Sequence, residues 1–481
     1  MTPIIDVLRE LGFDTITANT GLPAIEVLLR RLADHLECEG ADALRRETVI
    51  VMVTEQFKAL GIAGAGRLVR VALALRTNGT APPPPPPAPS PGALLEAAQP
   101  LLDADQVLEP VGRYLIAQGY AGDLKPPKVA YLALTSRVLD RPVNLRVTGP
   151  SASGKNFVIE SVLPLFPPSA YYQIGGMSPL ALLYSLEPFA HRTVIVNESS
   201  ALHDDGIGAS LLRGLVWDQH LTYDTVIDGE PVHLEKQGPT NLITTSTRDV
   251  DPQLDTRMWA TWIDDTPEQT RRILDVTARR AAGQATGPET DVPSVEKLVA
   301  LQDWLLQAGA RAVVVPFAPA LAALLPDTEV RLRRDVRQLI ALIRSHALLH
   351  QLHRERDAAD RVVATLIDYA AVRTLVDDVF AASVSSGATP QVREAVEAVK
   401  QLTGSGSTAT VSEVATRLHL SPSGAWHRIN QALKRRWLVN EEPRRRQPAK
   451  LRLGEAMPTA GIGLPDLDTL AEREAVQQEA V

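Results

Sequence analysis

The stretch PVNLRVTGPSASGKNFVIESVLPLF, residues 142–166, decides the fold. A short β-branched apolar run ends in glycine, passes through G-x-x-x-x-G-K and continues into an apolar-periodic segment. That is the strand, loop and helix order a phosphate-binding loop requires. Successive backbone N–H groups of a glycine-permitted loop, with the positive end of the following helix, favour an anion. Gly149, Pro150, Ser151, Ala152, Ser153, Gly154, Lys155 and Asn156 are therefore the expected cradle of a polyphosphate, with Lys155 reaching the outer phosphates. A Ser or Thr hydroxyl normally follows the lysine and ligates Mg²⁺. Asn156 stands there instead and offers an amide oxygen, so the expected ligands are ATP and Mg²⁺.

Working outward, HRTVIVNE (191–198) and TNLITTST (240–247) are two more short apolar runs, each set off by helical or turn-rich sequence. Strands alternating with helices imply an α/β fold: a mostly parallel sheet covered on both faces, with ligands at the carboxyl ends of its strands. TVIVNE closes on Asn197 and Glu198, where two acids would be usual. Glu198 is the candidate base that orients an attacking water, and Asn197 would hold the metal without a formal charge.

Between these runs, residues 221–236 alternate apolar and polar about Asp228-Gly229, a strong hairpin signal. With TGPSASGKN, IVNESSAL, ITTSTRDVDPQLDTRMW and DDTPEQTRRIL, this resembles the AAA+ ATPases that carry a hairpin before sensor 1, the MCM-like and superfamily 3-like helicases. More narrowly, it resembles the helicase-like ATPase domain of DNA primase-associated and phage or plasmid replication proteins. The resemblance covers about residues 95 to 350. It implies a P-loop AAA+ core with a helical lid and assigns roles. Thr247 falls at sensor 1, Arg257 at an arginine finger acting on a neighbouring subunit, and Arg337 at a sensor 2 position near the phosphates. A finger supplied in trans implies a homo-oligomer, by resemblance a hexameric ring. The hairpin would then project into the ring's channel, with His233 or Lys236 on a DNA backbone. Since Asp224, Asp228, Glu230 and Glu235 outnumber its bases, a purely structural hairpin is the other reading.

The flanks divide into further modules. Residues 1–80 read as a helical N-terminal module, where a replication partner would dock, and APPPPPPAPSPG (81–92) as a semi-rigid spacer. The ATPase core takes 93–293, and 294–385 is helical throughout, as a lid should be. In 390–456 the pattern is three helices and two extended stretches around PRRRQP, and it resembles a winged helix-turn-helix. Ser421 or Ser423 can cap its third helix. Arg428, Lys434, Arg435, Arg436, Arg444, Arg445 and Arg446 make this segment basic and are the candidate DNA contacts, unless the module serves protein contacts alone. Residues 457–481 read as a mobile acidic tail.

Composition agrees with this division. At 481 residues and roughly 150 per domain, about three domains are expected. Net charge is -8, so any DNA binding must come from a local patch. One cysteine, Cys38, excludes an internal disulfide framework and any multi-cysteine zinc site. No apolar run is long enough to cross a membrane, and the N-terminus lacks a secretion signal, so a cytoplasmic chain is expected. The expected activity is that of an ATP-dependent DNA helicase or translocase-type motor for a phage, plasmid or other mobile element. The alternative is an ATP-switched DNA-binding regulator or defence ATPase with little turnover.

Overall fold

The computed structural model describes residues 4–17, 20, 22–39, 41, 43–60, 69, 73, 89–150, 153–174, 188–197, 210, 214–227, 230–246, 257–263, 266–284, 291–326, 331–384, 390–404, 407–442, 444, 447–457 and 463–479. The chain divides into two compact units, 1–88 with 223–234, and 89–222 with 235–481.

In the first unit, α1 (Ile4–Glu10), α2 (Leu22–Cys38) and α3 (Ala43–Ala59) enclose a small core. Ile25, Leu29, Leu32 and Leu36 recur at three- and four-residue spacing along α2 and are all buried, while Phe13 stacks on Phe57 with ring centroids 6.1 Å apart. The proline-rich residues 81–88 lie outside the described residues. Ser90 and Pro91, assigned to the spacer by sequence, instead start a helix: the Ser90 hydroxyl accepts from Ala93 N, and proline at the first helical position needs no donor.

The second unit is built on a parallel sheet. It opens with α4 (Pro91–Leu102), α5 (Leu108–Ala117) and α6 (Lys125–Thr135). Then come β1 (Leu145–Thr148), α7 (Lys155–Val162), β2 (Tyr171–Ile174) and β3 (Arg192–Val196). The hairpin strands β4 (His220–Ile227) and β5 (Glu230–Gln237), whose residues 223–234 fall in the first unit, form their own two-stranded sheet, and β6 (Thr240–Ser246) and β7 (Trp259–Trp262) complete the main one. Its order is β2-β3-β6-β1-β7, with β1 parallel to both neighbours: Val147 lies opposite Thr245 on one side and Thr261 on the other. Every residue of β6 is buried, as both-face coverage requires.

Polar side chains inside this core cross-link its parts. On β6, Asn241 donates to the carbonyls of Ala133 and Val143 and accepts from the Thr193 hydroxyl, so three segments share one amide. Arg137 is fully buried at the end of α6. Its guanidinium donates to the side chain and carbonyl of Gln302 on α9 (Val295–Gln307) and lies over the Phe166 ring. Burial pushes its pKa down to about 10, and the group keeps its charge.

After α8 (Pro267–Ala281) and α9, the chain adds β8 (Val313–Val314), α10 (Ala318–Leu324), α11 (Leu332–Leu349), β9 (Val362–Val363) and α12 (Leu366–Val384). These helices share one continuous apolar core with the sheet and with α4 to α7. Within it, His346 and His350 on α11 and Asp368 on α12 bring ligand-type atoms within 4.8 Å of one another, a composition that suggests a metal site. Most of their ligand-type atoms are engaged otherwise, the exception among the described residues being His346 Nε2, which is buried and meets no partner. Asp368 accepts from His346 Nδ1, from both ends of the Arg354 guanidinium and from Thr365 N, while His350 Nδ1–H donates to the His346 carbonyl and its Nε2 accepts from Val107 N. The cluster is a buried ion-pair network.

The third part, α13 (Pro390–Leu402), α14 (Val411–Arg417), α15 (Pro422–Lys434), β10 (Leu438–Asn440) and β11 (Leu451–Leu453), has its own core. Ala409 bridges to Leu451, adding a third chain to the antiparallel β10–β11 pair. Thr410 and Glu413 form a capping box on α14, and Ser421, not Ser423, caps α15 by accepting from Gly424 N. The expected mobile tail is corrected: Leu464, just before α16 (Leu467–Glu479), and Leu470 within it are buried in the main core. Tyr369 OH donates to the Pro465 carbonyl and Leu464 N to Asp377. No helix among the described residues is long and apolar enough to cross a membrane.

The buried network carries a pH dependence. Both ring nitrogens of His350 are satisfied only in the neutral tautomer, and burial, reinforced by His346, lowers its pKa from 6.5 to about 4. A histidine whose folded pKa is depressed resists protonation, so stability present above about 6.5 is lost as the pH falls toward about 4, by on the order of 3 kcal/mol. Burial alone would raise the Asp368 pKa, but His346 and Arg354 hold it well below the usual carboxylate range, so its loss comes at still lower pH. The thermal midpoint is expected to drop between pH 7 and pH 5, and His350→Gln to flatten that drop; an unchanged slope in the variant would place the titration elsewhere.

Candidate nucleotide-binding site

The carboxyl edge of the parallel sheet gathers the expected groups. β1 ends at Thr148 and turns sharply: a Cβ on Gly149 would stand 2.7 Å from the Ser153 hydroxyl, and Gly154 sits at φ +87°, a left-handed conformation that glycine adopts without strain. Gly154 is the N-cap of α7, so the first turn of the helix opens directly onto the loop. The Lys155 side chain is buried, with its ammonium donating to the carbonyls of Gly149 and Pro150. Ser151 and Ala152 lie outside the described residues.

Asn156 is placed by a contact the sequence did not suggest. Its Oδ1 accepts from the hydroxyl of Thr245, 2.8 Å away near the end of β6. The next strand is fastened likewise, Thr244 Oγ1 donating to the Val196 carbonyl at 2.8 Å, and Asn197 follows at the carboxyl end of β3. Because β6 is interposed between β1 and β3, the loop and Asn197 are separated by two strand spacings, about 10 Å. Glu198 and Thr247 lie outside the described residues.

For Mg²⁺, the described donors are the amides of Asn156 and Asn197, neutral oxygens at one sheet edge. Such donors fit an ion that arrives already bound to phosphates better than one the protein holds alone.

Beside the loop lies a cavity of about 320 Å³, within the range of small-ligand pockets. Ser153 and Gly154 form part of its wall, so it is continuous with the loop. Tyr120, Phe157, Ile263, Ile273 and Val276 make it largely apolar, and Arg280 stands at its margin. Tyr120 and Phe157 stack with centroids 5.8 Å apart and planes 3° from parallel. Burial, then the nearby Asp123, pushes the Tyr120 phenol above its usual range, so it stays neutral. Gly119 (φ +77°) lets the chain pass beneath Arg280, whose guanidinium would lie 2.6 Å from any Cβ there. This cavity was missed in the sequence; its only local signal is an aromatic between glycines in Gly119-Tyr120-Ala121-Gly122.

The other expected residues do not converge here. Arg257 lies just before β7, and Arg337 adjoins Gln338, whose side chain accepts from Asn144 N at the start of β1. Both therefore lie at the amino edge of the sheet. The expectation that Arg337 approaches the phosphates of its own loop is thus corrected, since β1 itself spans about 10 Å between them. On the hairpin, His233 Nδ1 is 2.6 Å from an Asp224 carboxylate oxygen, and Lys236 Nζ lies 5.7 Å from the Phe189 ring centroid. Three residues apart on one strand, His233 and Lys236 point to opposite faces.

In the C-terminal module Arg428 is also a correction. It falls on the buried stripe of α15 with Ala425, Ile429 and Ala432, and its guanidinium is held by Glu394 at 2.8 Å. Lys434, Arg435, Arg436 and Arg444 are exposed; Arg445 and Arg446 lie outside the described residues. Lys450 and Arg452 are paired with Glu442 and Glu441.

A protein-family model described as the MTBMA_p00010 P-loop domain matches residues 119–300. The match begins at Gly119, the first residue of the loop that lines the cavity, and ends within α9. No curated protein matches the chain. Loop, helix terminus, parallel sheet and family match agree: residues 119–300 form a P-loop nucleotide-binding domain.

Proposed function

We propose that the protein is an ATP-driven DNA motor of the AAA+ helicase type, acting as a ring, by resemblance a hexamer. The observation that carries this reading is the coupling of the Gly149–Asn156 loop to Thr245 across one sheet edge, beside a cavity sized for a nucleoside base. The triphosphate would lie along the loop, with Lys155 and the α7 terminus on its charge, and the base would enter the cavity against Phe157 and Ile273. Magnesium, carried on the phosphates and touched by Asn156 and Asn197, would neutralise charge there. Glu198 would orient the attacking water and Thr247 would sense it. The amino-edge position of Arg257 supports a role toward a neighbour's nucleotide rather than its own.

The three-helix module with its β10–β11 pair supports a winged-helix DNA reader. On α15, Ser423, Trp426, Asn430 and Lys434 follow three- and four-residue spacing on one side, and Trp426 is 43% exposed. This stripe would enter a groove, with Lys434, Arg435, Arg436 and the Arg444–Arg446 loop on phosphates. Replication of a mobile element is the setting the resemblance suggests. The Asn156–Thr245 bond also favours a second reading, a nucleotide-held switch, because it occupies the side chain that should serve the metal.

DNA-stimulated ATP turnover separates the two: a motor accelerates on DNA, whereas a switch binds ATP and stays slow. Lys155→Ala should abolish binding and turnover. Arg257→Ala should lower turnover by about 10³-fold with binding intact; normal hydrolysis in that variant would end the trans-acting role. Phe157→Ala should weaken ATP about tenfold and leave tripolyphosphate unaffected, and equal losses for both would remove the base from the cavity. Lys434→Ala with Arg435→Ala should reduce the salt dependence of DNA binding by about two units of log–log slope, and an unchanged slope would exclude them from phosphate contact.

A further inference from the structure

One side of α15 carries groups that the rest of the chain does not use. Trp426 is exposed and Asn430 half-buried, and among the described residues neither side chain makes a hydrogen bond or a ring contact. The neighbouring faces of the same helix are committed inward. The Gln431 amide nitrogen lies 3.1 Å from the His427 ring nitrogen Nε2, and Arg428 is held by Glu394. Helical spacing puts Ser423, Trp426, Asn430 and Lys434 in one row, and a rise of 1.5 Å per residue sets Asn430 about 6 Å beyond Trp426. Past the end of that row, Arg435 and Arg444 are exposed and without an ion-pair partner among the described residues, on a chain whose net charge is -8. An unused polar and aromatic row that ends in local positive charge fits a polyanion with readable edges, which is duplex DNA.

The side chains in the row select among base pairs. In the major groove guanine is read by arginine or lysine, cytosine by a carboxylate, adenine by an amide and thymine by apolar contact with its methyl group. The row holds no acid, and its one cation, Lys434, is its last residue, at the end nearest Arg435. Its earlier members are a hydroxyl, an indole and an amide, the set suited to adenine and thymine. A separation of about 6 Å spans about two base pairs at roughly 3.4 Å each. We propose that Trp426 and Asn430 are specificity-determining residues that read two neighbouring A·T pairs. The Asn430 amide donates to adenine N7 and accepts from the adenine amino group, while the Trp426 indole packs on a thymine methyl. This rests on the DNA-reader role proposed for the three-helix module and deepens it: the ligand is duplex DNA of defined sequence.

The test uses full-length protein without nucleotide. Selection from a pool of random duplexes is expected to yield a site containing adjacent A·T pairs. Within that site, 7-deazaadenine, which lacks the N7 acceptor, should weaken binding about tenfold, and deoxyuridine, which lacks the thymine methyl, about threefold. Asn430→Ala should lose the first response and keep the second, and Trp426→Ala the reverse; a misfolded variant would lose both together. Equal binding to duplexes of every sequence, a selected site made of G·C pairs alone, or analogue responses that survive in both variants overturns the proposal while leaving the module a DNA binder. If duplex binding is instead indifferent to Lys434→Ala with Arg435→Ala and no site is selected, the DNA-reader role itself falls, and this reading with it.

Discussion

The parallel pairing of β1 with β6 on one side and β7 on the other is the constraint from which the rest follows. When all strands run one way, their carboxyl ends share an edge, and every loop that leaves them faces the same solvent. Gly149, Thr245 and Asn197 lie along one edge for that reason, although 48 residues separate Asn197 from the loop's first glycine. The same geometry sends whatever precedes the strands to the other edge, where Arg257 and Trp217 stand. A single topological choice thus separates the edge that bears the glycine-rich loop from an arginine-bearing edge.

Parallel sheets must be covered on both faces, and here the covering helices are fastened by polar groups rather than by apolar contact alone. Arg137 shows how firmly. Burying a guanidinium is costly unless it is hydrogen-bonded, and the groups that accept from its two terminal nitrogens include the side chain and carbonyl of Gln302, which belong to α9. The apolar side chains of the helices after residue 294, read from sequence as a lid, run into those beneath the sheet without interruption.

What could be read from the sequence was local. The loop at 149–156 declares itself because glycine, lysine and helix start lie within eight residues and each has one physical reason to be there. The cavity beside it could not be read, since Tyr120, Phe157 and Ile273 come from three segments with no shared periodicity. Arg428 was legible and misassigned: it occupies the same spacing as Ala425, Ile429 and Ala432, so its face is buried, and counting charge along the segment concealed this. Arg337 is the opposite case. The helix pattern of α11 shows which side is buried but not which end of the sheet it meets; that is settled by Gln338 and Asn144, 194 residues apart. The residues after 457 offered only two buried leucines, too few to outweigh an acidic composition.

Those two leucines alter the mechanics of the molecule. The chain leaves the main body at the end of α12, builds the three-helix module, and returns so that Leu464 and Leu470 re-enter the body beside Tyr369 and Asp377. The three-helix module is consequently not a pendant on one string but a handle fixed at both ends. Any pull exerted on it is shared between two attachments to α12, and its freedom to swivel is that of a closed loop of chain.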